Sequence, residues 1–304
     1  VRLPKKVTIK EVGPRDGLQN EKKIISTAEK IAWIDSLSEI GLSYIEVSSF
    51  VHPKWIPQLA DAEEVLKKIK RKHDITYAAL VPNLKGLERA LKVNIDEVNI
   101  FMSASESHNR NNINKSIEET YPVLEEVIKE AKGAGKTVRG YVSTVIACPY
   151  EGSISPEQVK KIADRLFTMG IDELSLGDTI GVGVPNQVER LLEELLPYFA
   201  VDKLAMHFHD TRGTALANIV KSLEMGVTIF DSAIGGLGGC PYAKGASGNV
   251  ATEDLLYLLQ QMGVETGVDF HEALRSAQLI ENILGKELKS RQMEILRAEG
   301  EGEN

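Results

Sequence analysis

Ser155-Pro156-Glu157-Gln158-Val159-Lys160-Lys161-Ile162-Ala163-Asp164-Arg165-Leu166-Phe167-Thr168-Met169-Gly170-Ile171-Asp172-Glu173-Leu174-Ser175-Leu176 is the stretch whose reading decides the fold. Ser155 followed three residues later by Gln158 is a capping box, and Pro156 occupies the first helical position, where its missing N–H has no bond to lose. Val159, Ile162, Ala163 and Leu166 then recur at helical spacing and form a stripe to be buried. Gly170 stops the helix, and Glu173–Leu176 begins a short β-rich run. The stretch is therefore a helix, a glycine stop and a strand.

The same pattern recurs along the chain. Ser26-Thr27-Ala28-Glu29 is a second capping box, with Trp33, Leu37 and Ile40 on one face before Gly41. Glycine stops stand again at Gly135, Gly226 and Gly263. Eight β-rich runs, Val7–Val12, Tyr44–Ser48, Thr76–Val81, Glu97–Met102, Thr137–Ile146, Glu173–Leu176, Lys203–Phe208 and Thr228–Ile234, are each followed by a helical pattern. Eight βα units predict an α/β chain closed into a (β/α)8 TIM barrel with additional C-terminal helices. No Pro- or Ser-rich linker divides it, so residues 1–304 are expected to form a single catalytic domain: a barrel core over 7–265, then an extension over 266–304 with a helix from Phe270 to Leu288 and a frayed tail from Arg297.

Composition excludes several function classes. With 36 Lys and Arg against 44 Asp and Glu the net charge is −8, which repels nucleic acid and anionic membrane. The run Lys67-Lys68-Ile69-Lys70-Arg71-Lys72 reads as a solvated face. Apolar stretches are too short to span a bilayer, and the amino end has no apolar signal core. Two cysteines provide no disulfide framework, which fits a reducing cytoplasm.

In such a barrel the chemistry sits at the carboxyl ends of the strands. After the first run comes Gly13-Pro14-Arg15-Asp16-Gly17-Leu18-Gln19-Asn20, where Arg15 can hold a developing oxyanion and Asp16 a metal. The seventh run ends His207-Phe208-His209. Residues two apart on a strand point the same way, so the two imidazoles can meet one ion. Asn249, after the eighth run, can complete the shell, because strands seven, eight and one are neighbours in a closed barrel. Two nitrogens, a carboxylate and an amide oxygen favour Mg²⁺ or Mn²⁺, with zinc also open. Glu46 lies inside an apolar run and needs a partner such as Arg15. Asn83 and Asp178-Thr179 stand on the same rim or serve as helix caps. The polar stretch Ser103–Asn114 reads as a loop whose His108 or Arg110 can meet phosphate. Between Gly235 and Asn249 six glycines surround Cys240, an arrangement suited to a loop that approaches a ligand. Cys148 reads as packing.

Together, Gly13-Pro14-Arg15-Asp16-Gly17-Leu18-Gln19, His207-x-His209-Asp210 and Gly236-Leu237-Gly238-Gly239-Cys240-Pro241-Tyr242 resemble the 3-hydroxy-3-methylglutaryl-CoA lyase family of metal-dependent barrel lyases, and the likeness covers nearly the whole chain. It implies cleavage of that thioester to acetyl-CoA and acetoacetate, an acyl-CoA partner, a divalent cation as cofactor and a homodimer. Carried residue by residue, it implies catalytic roles for Arg15, Glu46, Cys240 and His207, substrate contacts by Arg15, Gln19, Ser49, Asn83, Tyr141, Thr179 and Arg110, and metal ligation by Asp16, His207, His209 and Asn249. Cys240 would protonate the enolate, with His207 as another relay. The first proton acceptor is open among Glu46, a metal-bound water and Cys240. A condensing synthase of the same superfamily and a non-catalytic acyl-CoA-binding barrel are the competing readings.

Overall fold

The computed structural model describes residues 3–239 and 248–301. Eight parallel strands close a barrel: β1 (Thr8–Glu11), β2 (Tyr44–Ser49), β3 (Thr76–Leu80), β4 (Glu97–Ser103), β5 (Thr137–Ser143), β8 (Glu173–Asp178), β9 (Leu204–Phe208) and β10 (Ile229–Ser232), with β1 paired to both β2 and β10. Every expected strand is present. The fifth is shorter than its apolar run, because Thr144 takes a positive φ of 60°, donates its N–H to Thr179 Oγ1 at 2.8 Å and turns the chain out of the sheet. A small antiparallel hairpin follows, β6 (Ala147–Cys148) with β7 (Gly152–Ser153).

The helices surround the barrel: α1 (Thr27–Leu37), α2 (Ala62–Lys68), α3 (Leu84–Lys92), α4 (Glu106–Ile113), α5 (Ile117–Gly133), α6 (Pro156–Met169), α7 (Pro185–Leu195), α8 (Ala215–Glu224), α9 (Thr252–Gln261), α10 (Phe270–Leu284) and α11 (Arg291–Glu301). On α6 the stripe Val159, Ile162, Ala163 and Leu166 is the buried face, and Gly170 closes the helix in the left-handed conformation at φ 105°. The capping box at Ser26 is formed on both sides. The basic run spreads over the end of α2 and the turn beyond it, where Lys68 pairs with Glu64 at 2.7 Å and Arg71 with Asp96 at 2.7 Å.

Two expectations need correction. Residues 106–113, read as loop, form α4; Ser105 caps it by accepting the His108 N–H, and Asn109, buried, accepts the Ser103 N–H at 2.9 Å while donating to Thr120. The tail from Arg297 is helical as far as Glu301, where α11 ends; residues 302–304 lie outside the described residues. Arg297 binds Glu281 at 2.6 Å and the Leu288 carbonyl at 2.9 Å, Met293 is fully buried, and the Asp254 carboxylate accepts the N–H groups of Arg291 and Gln292.

The barrel interior is polar at its floor. Lys10 meets Glu173 at 2.8 Å, Glu173 also pairs with Arg139, and Arg139 reaches Asp231 at 2.6 Å. Buried charges of this kind repay their desolvation only when paired and hydrogen-bonded, so such a string fixes geometry more than it adds stability.

Candidate active site

At the carboxyl end of β1 the chain makes a π-helical turn, Gly13–Gly17. The Val12 carbonyl accepts N–H groups from Arg15 at 3.2 Å, Asp16 at 2.7 Å and Gly17 at 3.3 Å, and this wide turn presents two consecutive charged side chains to the barrel mouth. Such turns are uncommon and cluster at functional sites. Gly17 has a steric reason to be glycine, since a Cβ there would lie 2.9 Å from the Cβ of Leu237. Arg15 donates Nε–H to Glu46 at 2.7 Å and Nη1–H to Asp16 at 2.9 Å, and its guanidinium stands 5.3 Å from the Tyr141 ring centre. Glu46 is fully buried, and its other oxygen accepts from Asn99 at 2.8 Å. Burial alone would lower the Arg15 pKa, but Glu46 and Asp16 hold it above its ordinary value.

His207, the penultimate residue of β9, and His209, just beyond that strand, point to the same place, with ring centres 5.3 Å apart. Their Nε2 atoms lie 3.8 and 3.7 Å from Asp16 Oδ2, and one donor atom from each of the three residues falls within 4.8 Å of the others. Burial would raise the Asp16 pKa; Arg15 and the two imidazoles override it and keep the group well below the usual carboxylate range, ionised and ready as a ligand. Asn249 donates Nδ2–H to Asp16 Oδ2 at 2.7 Å and to the Leu237 carbonyl at 3.0 Å. Its Oδ1 is buried with no partner among the described residues, as is His209 Nδ1. An orphaned buried amide oxygen beside a carboxylate and two imidazoles is a donor set that suits a divalent cation.

These groups open onto a cavity of about 650 Å³. Arg15, Asp16, Gln19, Asn83, Tyr141, Thr179, His207 and His209 line it. Asn83 is also the cap of α3, accepting the Gly86 N–H at 2.9 Å, so it has both of the positions considered for it. Gln19 donates to Asp16 at 2.9 Å. Ser49 is in register with the cavity residue Leu80 but is shielded, its hydroxyl accepting the Val51 N–H at 3.3 Å. Arg110 faces solvent and pairs with Glu106 at 2.8 Å. The helix explains this: His108 and Asn112 of α4 line the cavity, and Arg110, half a turn away, points outward. Cys240 lies outside the described residues. Gly239, immediately before it, lines the cavity and its carbonyl accepts from Asn20 at 2.7 Å.

Sequence reasoning missed Asn99 under Glu46, Asn112 and Trp55 on the rim, and Asp231, which meets His207 Nδ1 at 3.0 Å. A charged residue inside the apolar run Thr228–Ile234 is a signal that would have found Asp231.

Residues 6–280 match the model of the HMGL-like family. The chain is 57% identical to a hydroxymethylglutaryl-CoA lyase of Bacillus subtilis over 97% of this chain and 99% of the relative. It is 51% identical to the 3-hydroxy-3-isohexenylglutaryl-CoA/hydroxymethylglutaryl-CoA lyase of Pseudomonas aeruginosa, over 98% of this chain and 99% of that protein. Among solved structures, an HMG-CoA lyase from Acinetobacter baumannii in complex with coenzyme A and 3-methylmalate superposes with a TM-score of 0.91 at 39% identity, covering 96% of this chain and 95% of that one.

Proposed function

This chain belongs to the HMGL-like family, and we propose that it cleaves 3-hydroxy-3-methylglutaryl-CoA to acetyl-CoA and acetoacetate. The observation that carries this reading is the convergence of Asp16, His207 and His209 on one point with Arg15 beside it. Breaking the C2–C3 bond removes a proton from the C3 hydroxyl, to Glu46, a water in the site or Cys240, and leaves carbanion character next to a thioester carbonyl; the proton later returned to the enolate balances the one removed. Mg²⁺ or Mn²⁺ held by Asp16, His207, His209 and the Asn249 amide oxygen would supply Lewis acidity at that hydroxyl and a template for the substrate.

Arg15 spends one N–H on Glu46 and one on Asp16, and a guanidinium has five. Arg15 lines the cavity, and its remaining N–H groups serve the thioester enolate oxygen. Glu46, braced by Asn99, orients this donor. Tyr141, Thr179, Asn83 and Gln19 contact the substrate from the cavity wall. Cys240, next in the chain after Gly239, is assigned the proton that quenches the enolate; an unperturbed thiol with a pKa of about 8.5 is mostly protonated at neutral pH. The barrel core and the 266–304 extension act as one catalytic domain.

The test is an assay of the purified chain with the hydroxymethylglutaryl thioester. Acetoacetate and acetyl-CoA should appear in equal amounts, stop on chelation and return with Mg²⁺ or Mn²⁺. Thiol release from acetyl-CoA and 2-oxo acids with no acetoacetate from the thioester would reject the lyase reading for the condensing one.

A further inference from the structure

The two imidazoles of the site are held differently. His207 Nδ1 lies 3.0 Å from Asp231 Oδ2, and Asp231 is itself fixed by Ser175 Oγ at 2.8 Å and by Arg139 at 2.6 and 3.2 Å. All three are buried. Arg139 continues to Glu173 and so to Lys10 at the barrel floor. Asp231 already accepts two guanidinium hydrogens and a hydroxyl hydrogen, and a carboxylate can only accept, so the contact with His207 requires the hydrogen on Nδ1. His209 Nδ1 has no partner among the described residues, and its Nε2 faces Asp16 at 3.7 Å.

We infer that Asp231 is a positioning residue: it fixes His207 as the Nδ1–H tautomer, so that the Nε2 lone pair is aimed at the Asp16 and His209 point before any cation arrives. Ser175 and Arg139 hold Asp231 in the orientation that does this. His209, unbraced among the described residues, is placed to carry its hydrogen on Nε2 toward Asp16 in the cation-free protein and to move it to Nδ1 on binding. One ligand is preset and the other adapts. The inference rests on reading the site as a cation centre.

Long-range ¹H–¹⁵N spectra of the metal-free chain labelled at histidine test the tautomers directly, with His207 and His209 signals assigned by single substitutions. His207 should be Nδ1–H before and after Mg²⁺ is added; His209 should switch. Mn²⁺ affinity, read from the free-ion electron spin resonance signal, should fall about 10–100-fold in Asp231→Asn, the usual range for loss of such an outer partner, and by a smaller factor in Ser175→Ala. Should Asp231→Asn fail to fold, the wild-type spectra and Ser175→Ala still decide. An Nε2–H tautomer at His207, or Mn²⁺ affinity unchanged in both variants, overturns the role given to Asp231. A wild-type chain that binds no Mn²⁺ but keeps the His207 tautomer overturns the cation reading itself.

Discussion

Two fully buried carboxyls clamp the root of the glycine-rich loop. Glu11 accepts N–H groups from Gly13 at 2.9 Å and Ile234 at 3.0 Å and a hydroxyl from Thr252; Glu253 accepts the Gly235 N–H at 3.0 Å and the Ser290 hydroxyl. Burial pushes both up from 4.5 to about 7, against the pull of those hydrogen bonds. Because the folded values exceed the unfolded ones, the stabilisation is complete below the ordinary carboxyl range and is lost as pH rises through about 7. Linkage gives each group about 3 kcal/mol in full, of which about 1 kcal/mol disappears between pH 6 and 8. Asp16 and Asp231, both depressed, contribute their stability in full above the ordinary carboxyl range, lose it only as pH falls below that range, and do not vary in this window. Urea unfolding followed by tryptophan fluorescence suits the measurement, since Trp33 is buried and packs where Gly13 passes. The wild type should be less stable at pH 8 than at pH 6, and Glu253→Gln should remove about 1 kcal/mol of that difference. A variant with the same pH dependence as the wild type would refute the assignment of the slope to Glu253.

Arg15→Lys should reduce turnover by about 10²–10³ with little change in KM, since an ammonium cannot reach Glu46, Asp16 and an oxyanion together; steady-state kinetics would show it, and a change confined to KM would contradict it. His209→Ala should weaken Mn²⁺ binding, and an unchanged titration would remove His209 from the shell. Gly235→Ala should destabilise the fold by about 2 kcal/mol or more, because φ is 69° and the new Cβ would collide with Leu288; a denaturation midpoint equal to that of the wild type would contradict this. Cys240→Ser should keep cation affinity and lose most turnover, and full activity would count against its acid role.

The barrel was legible because its signals are local. Serine caps, proline at a first turn and glycine stops each act within a few residues, and parallel strands buried on both faces read as apolar runs. What escaped depended on distant partners. The polar helix at 106–113 shows no apolar stripe and is held by the Ser105 cap and by Asn109 bonds to β4 and α5. The helix at 291–301 starts on Asp254, 37 residues away in the chain. At the site, Asp16 with the His-x-His pair could be proposed from strand parity, whereas Asp231 could not be connected to His207 until the register between β9 and β10 placed them side by side. The outward facing of Arg110 escaped for the same reason as its helix: a loop carries no facing, and a helix does.

The π-helical turn after β1 makes the guanidinium and the carboxylate at the barrel mouth sequence neighbours that share one carbonyl anchor, Val12. The charge-stabilising and ion-holding roles proposed for them are thereby mechanically joined. Shortening the turn by a single residue would rotate one of the pair out of the mouth, so a change in the length of this turn cannot adjust either side chain without disturbing the other.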